Sequence, residues 1–179
     1  TWTEDEHVAV GITAGRTVSY TGSMDVSGWC ADRDVLILGP GTEARTKKTE
    51  IEQFIKLHNV VAIGLGAFSS IDPALITAIA VCHPERATVE ASSLAKLSCP
   101  VFAPGAMLAE HNISVSNLHD VGVVTGTESF GGDSKTLHIP RLLSAAYALA
   151  LAARGGARQI FVAGFDGFAD DDHRFAEMN

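Results

Sequence analysis

The stretch Asp34-Val35-Leu36-Ile37-Leu38-Gly39-Pro40-Gly41-Thr42-Glu43-Ala44 decides how the rest of the chain is read. Its unbroken apolar run from Val35 through Leu38 is too short for a helix and fits a strand buried on both faces. A glycine turn follows, and then a helix start. That succession is how an α/β domain presents backbone N–H groups and a helix N-terminus to an anion, commonly a phosphate.

Downstream, Ile51, Phe54, Ile55 and His58 recur at the i, i+3, i+4, i+7 spacing of an amphipathic helix over residues 46–58. Lys47, Lys48, Glu50, Glu52 and Lys56 are left for its solvent face. Residues 60–65 then read as a second buried strand ending in Gly64 and Gly66, followed by a short helix begun at Asp72-Pro73. Residues 79–82 make a third strand, ahead of His83-Pro84-Glu85-Arg86 and a helix through Leu94 and Leu97. Residues 100–103 make a fourth strand, stopped by Pro104-Gly105, and residues 121–124 a fifth. TGTESFGGDSKT, residues 125–136, reads as a flexible loop. Pro140 is expected to open a strong helix, RLLSAAYALALAARGG, stopped by Gly155-Gly156, and residues 160–163 form the last strand.

Strands alternating with helices across short loops predict a Rossmann-like α/β three-layer sandwich, its sheet mostly parallel with helices on both faces. This domain takes residues 34–179. Residues 1–33 read as a leading segment or linker, with strand-like runs at 8–12 and 17–20 that suit a short hairpin, and with Trp29 packing where the segment meets the core. The chain begins at Thr1, and HRFAEMN reads as a helix that starts and then stops, so the expectation is a piece of a longer protein.

Composition narrows the partners. The chain has 179 residues, 46% hydrophobic and 19% charged, which suits one globular domain, and its longest apolar run, near residues 145–153, is too short and alanine-rich to span a bilayer. A formal net charge of −8 excludes a general nucleic-acid surface, which needs clustered Lys and Arg. Three cysteines, an odd number without CxxC spacing, fit a reduced, cytoplasmic setting. The expected partner is a small anionic molecule, with no nucleic acid, no membrane and no cofactor, and the apolar helix after Pro140 offers a surface for a homo-oligomer.

In open α/β sheets the ligand sits beyond the carboxyl ends of the strands, near the point where strand order reverses. That rule places Gly39, Pro40, Gly41 and Thr42, Gly64 and Gly66, His83 and Arg86, Pro104, and Gly164, Asp166 and Gly167 along one rim. The Gly39–Thr42 turn offers an anion nest and a hydroxyl, or is simply a tight strand-to-helix turn. It lacks the lysine of GxxxxGK[ST] and the third glycine of GxGxxG. Arg86 suits a bidentate clamp on phosphate or carboxylate, and His83 beside it a proton carrier; the plain alternative is surface charge on a first helical turn. Arginine there opposes the helix dipole, which calls for another reason for its presence. Asp166, in GFDGF, suits a ribose or sugar hydroxyl or a metal, or closes an Asx-turn with no ligand. His83 and His138 are the candidate catalytic acid/bases. Asp170-Asp171-Asp172-His173 reads as an acidic helix cap rather than a metal set, because adjacent carboxylates diverge.

VLILGPG, VCHPER and the segment AYALALAARGGARQIFVAGFDGF together resemble the C-terminal domain of aldolase-like proteins of the hydroxymethylglutaryl-CoA lyase type, often labelled 4-hydroxy-2-oxovalerate aldolases. These are associated with bacterial surface-polysaccharide gene clusters. More distantly the motif order is similar to the CMP-sugar sialyltransferases and to the pterin-diphosphokinase-like family. The resemblance implies a Rossmann-like accessory domain that takes a nucleotide, nucleotide-sugar or sugar phosphate, attached to an aldolase-type domain in the same parent chain. It implies no aldolase machinery in this segment. In those relatives the first turn usually reads Gly-Pro-Ser, and the second and third strands end in Asn, the latter followed three residues on by Arg. Gly39-Pro40-Gly41-Thr42, Gly64, His83 and Arg86 stand at those positions here; Gly64 and His83 replace the amides.

Overall fold

A computed structural model describes residues 17–67 and 70–166. Its centre is the strand read first, β2 (Asp34–Leu38), after a two-residue β1 (Ser19–Tyr20). Side chains alternate across a strand, so Val35 and Ile37 enter one apolar cluster and Leu36 and Leu38 the other. Each is almost wholly buried, and burying such a side chain contributes about 1.5–3 kcal/mol.

β2 pairs in parallel with β3 (Val61–Gly64), and the sheet continues through β4 (Ala78–Ala80) and β5 (Val101–Ala103) to β6 (Leu118–Asp120). On its other side β2 pairs with the last strand, β10 (Gln159–Ala163), giving the all-parallel order β10-β2-β3-β4-β5-β6. This is a Rossmann-like α/β sandwich. From β2 to β6 every crossover steps the same way, and right-handed connections put the intervening helices on one face. Those helices are α1 (Thr42–Thr46), α2 (Lys48–His58), α3 (Pro84–Val89), α4 (Ala91–Leu94) and α5 (Gly105–Glu110). Their buried Ile51, Ile55, Ala87, Leu94, Met107 and Leu108 share a cluster with Leu36, Ala62 and Val101. The return to β10 steps the other way, so α6 (Ser144–Arg154) lies on the opposite face, where Tyr147, Ala148 and Leu151 pack with Val35, Ile37 and Val61.

A second sheet, β1-β7-β9-β8, shares that face's cluster through Val123 and Leu137; its strands are β7 (Gly122–Val124), β8 (Gly131–Gly132) and β9 (Thr136–His138). The expected fifth strand over residues 121–124 is β7 and belongs to this second sheet, not to the parallel one, whose place there is taken by β6, which was not expected: the chain leaves the parallel sheet after Asp120 and enters the second one at Gly122. The expected flexible loop contains β8, which pairs antiparallel with β9. The helix expected from Pro140 begins at Ser144, because Ile139 still bonds to the Val124 carbonyl and Leu143 is extended, with φ −126° and ψ 128°. Gly155 and Gly156 do end it, the latter at φ 84°.

Residues 17–33 run into the same body. Ser19 and Tyr20 pair with Val124 and Val123, Val26 and Cys30 are buried, and Trp29 meets Phe102 edge-on with ring centroids 4.5 Å apart. The strand-like run at residues 8–12 lies outside the described residues, as does the acidic run before HRFAEMN. Among the described residues no helix is long and apolar enough to cross a membrane.

Candidate functional site

The strand order reverses between β2 and β10, and the turns that follow these two strands are built into each other. Gly39 N–H donates to the Ala163 carbonyl and Gly41 N–H to the Gly164 carbonyl, both at 2.8 Å. A Cβ at Gly39 would lie 2.3 Å from the Gly164 oxygen, and one at Gly41 would lie 2.2 Å from Asp166 Oδ1. Only glycine permits this approach. The glycines of the first turn thus make room for the last turn.

Asp166 reaches across the gap. Its Oδ2 accepts from the Glu43 N–H at 3.0 Å, so one of the unsatisfied donors at the start of α1 already holds a carboxylate. Beside it the Oγ1 of Thr42 is buried and has no partner among the described residues. Gly167 lies outside the described residues.

Gly64 closes β3 opposite Leu38. A Cβ there would lie 2.8 Å from Ile79 Cδ1, the far end of a flexible side chain, so a larger residue at this position would require Ile79 to shift. Under the rim Leu38, Gly39, Ala44, Gly64, Ile71 and Ile76 help line a cavity of about 10 Å³, room for a single water at most. Anything larger has to lie over the rim.

His83 caps α3 in extended conformation, φ −94° and ψ 120°, without a side-chain bond to the helix. Arg86, one turn on, pairs through Nε with Glu90 Oε1 at 2.9 Å. Glu90 in turn accepts from the Ala67 N–H through Oε2 at 2.5 Å. This supplies the reason for an arginine in the first turn of a helix: with Glu90 it ties the turn after β3 to the turn after β4. The helix expected through Leu94 and Leu97 is instead divided into α3 and α4 at Glu90, with φ −92° and ψ 3°.

A third carboxylate completes the rim. Asp120 Oδ1 accepts from Gly105 N–H at 2.7 Å, at the start of α5 behind Pro104, and Oδ2 accepts from the Ser23 hydroxyl at 2.8 Å. Glu90 and Asp120 were not among the residues singled out in the sequence. The spacing of Arg86 and Glu90, i and i+4, is the signal that points to the first; nothing local points to Asp120, whose partners are 15 and 97 positions away.

The two candidate acid/bases are not brought together. His83 stands on the rim of the parallel sheet, while His138 ends β9 in the second sheet, opposite Gly131 and Val124. A wider, open hollow of about 280 Å³ lies elsewhere, between β8 and α6, lined by Phe130, Gly131, Ala150, Ala153 and Arg154. The Arg154 guanidinium there donates to the Gly132 carbonyl. Among the described residues no three His, Cys, Asp or Glu side chains gather as metal ligands do. Burial raises the thiols of Cys30 and Cys99 above their ordinary range and pushes Cys82 up to about 12, so none is held as a thiolate nucleophile.

No protein family, curated protein or solved structure matches the chain.

Proposed function

We propose that the chain is a ligand-binding domain that takes a small anionic ligand, a sugar phosphate or the phosphoryl part of a nucleotide-sugar, on the rim between the Gly39–Thr42 turn and Arg86. The observation that carries the reading is the Glu43 amide: it already holds an oxyanion, the Asp166 carboxylate, beside the Thr42 hydroxyl, which has no partner among the described residues. A phosphate oxygen has the same chemistry as that carboxylate, and the position lies at the switch point where α/β sheets bind ligands. Asp166 then acts as an internal competitor that an incoming ligand displaces, and Arg86 exchanges its pairing with Glu90 for the ligand. The small cavity favours recognition of the anion over enclosure of a base. In the longer protein implied by the resemblance, the domain works as an accessory to an aldolase-type domain in bacterial surface-polysaccharide sugar metabolism.

Calorimetric titration with CMP, a CMP-sugar, sugar phosphates and inorganic phosphate tests this. The expected outcome is binding by at least one phosphorylated ligand, tightened about tenfold by Asp166→Asn, equivalent to ~1.4 kcal/mol, and weakened by Arg86→Ala. Absence of binding by all of them, or binding indifferent to both substitutions, overturns the proposal.

A further inference from the structure

The open hollow between β8 and α6 shares no residue with the rim, and its walls differ in chemistry. Phe130, 53% exposed, precedes β8 on one side. Ala150 and Ala153, three residues apart on one face of α6, give the other side a smooth apolar floor. Arg154 closes the hollow as the last residue of that helix. A cation there complements the helix dipole, but the dipole does not require its guanidinium to reach across to β8 and bond the Gly132 carbonyl. That bond fixes the guanidinium in place and uses one of its five N–H donors.

Among the described residues Arg154 pairs with no carboxylate. Asp133, whose charge acts on it, is engaged instead by the Lys135 and Thr136 N–H groups at 2.8 Å each. A chain of net charge −8 therefore holds a guanidinium without an acid partner at the same hollow as an exposed aromatic ring.

We infer that this hollow binds a small aromatic carboxylate, of the size of benzoate. A carboxylate accepts two parallel N–H bonds from one guanidinium, which matches the donors that Arg154 has left after bonding Gly132. A planar ring meets Phe130 in offset or edge-on contact and lies flat on the two alanine methyl groups. One cation balances one negative charge, which favours a monocarboxylate over a phosphate dianion. The volume sets the upper size: about 280 Å³ is just under the roughly 300 Å³ at which ligand pockets begin, so the hollow takes a single ring with one charged group and not a nucleotide.

Amide spectra of the isotopically labelled 179-residue chain during titration with benzoate test the inference. The expected result is saturable shifts of the Gly131, Ala150 and Ala153 amides with a Kd on the order of 1 mM or tighter, within reach of a ligand of about nine non-hydrogen atoms. Benzamide keeps the ring and loses the charge, and is expected to bind at least about tenfold more weakly. Arg154→Gln keeps a donor for the Gly132 carbonyl, and is expected to weaken benzoate at least about tenfold with unchanged circular dichroism. Ala153→Leu, at an exposed helix position, fills the hollow and is expected to abolish the shifts. The absence of saturable shifts at these residues, benzamide binding as tightly as benzoate, or binding indifferent to both substitutions overturns the inference. Shifts confined to Thr42 and Glu43 would put the carboxylate on the rim and overturn it likewise. None of these readouts depends on phosphate binding at the rim.

Discussion

At the scale of single residues, Tyr147 illustrates how one polar atom fixes a topological choice. Its ring is wholly buried among Val35, Ile37 and Val61, and its hydroxyl donates to the Val121 carbonyl at 2.6 Å. Val121 is the residue at which the chain leaves the parallel sheet for the second one. Its N–H is held by the Ala103 carbonyl, so Val121 is anchored on both sides. Burial raises the phenol well above its ordinary range, which keeps it a donor. Tyr147→Phe keeps the ring and removes the donor. It is expected to cost about 1–3 kcal/mol in urea unfolding, because the carbonyl loses its buried partner; a change below about 0.3 kcal/mol would show that the bond does not hold the switch.

At the scale of elements, short pieces are held by carboxylates that accept main-chain N–H groups. Asp133 does this for the β8–β9 turn, accepting from Lys135 and Thr136 at 2.8 Å each, and these bonds hold its carboxyl below the usual aspartate range. A depressed folded-state pKa means that the unfolded chain binds more protons. The stabilisation is therefore present above the ordinary aspartate pKa and is lost as pH falls through the folded value. Asp133→Asn keeps an acceptor but cannot titrate. Its melting temperature is expected to fall less than that of the parent between about pH 4 and pH 2, and an identical acid limb would contradict this.

The same elements divide what the sequence makes legible from what it does not. The run from Val35 through Leu38, the heptad-like spacing in α2 and the glycines after α6 report local periodicity and backbone conformation, and each stands where periodicity placed it. β6, α5 and the sheet change at Val121 carry no local signal, since they are three to six residues long and defined by distant partners. The late start of α6 has the same origin: Pro140 is a good first residue for a helix, but the pairing of Ile139 with Val124 keeps the backbone extended. On the rim, the strand-end rule places the Gly39–Thr42 turn and Asp166 without any structure. The pairing of Arg86 with Glu90, and of Asp120 with Gly105 and Ser23, depends on how three loops meet.

At the scale of the whole molecule, the last strand returns beside the first long one. That single step places the Gly39–Thr42 turn against Gly164 and Asp166, leaves the anion-accepting amide of Glu43 at the reversal of strand order, and puts the apolar strand β10 on the outside. Rim and edge are therefore two consequences of one topology. The most direct test of the ligand-binding account is the amide spectrum of the isotopically labelled chain during titration with a sugar phosphate. The account requires saturable shifts of the Thr42 and Glu43 amides as the ligand replaces the Asp166 carboxylate. Unmoved Thr42 and Glu43 amides at a ligand concentration that shifts resonances elsewhere, such as those around Arg154, would contradict it.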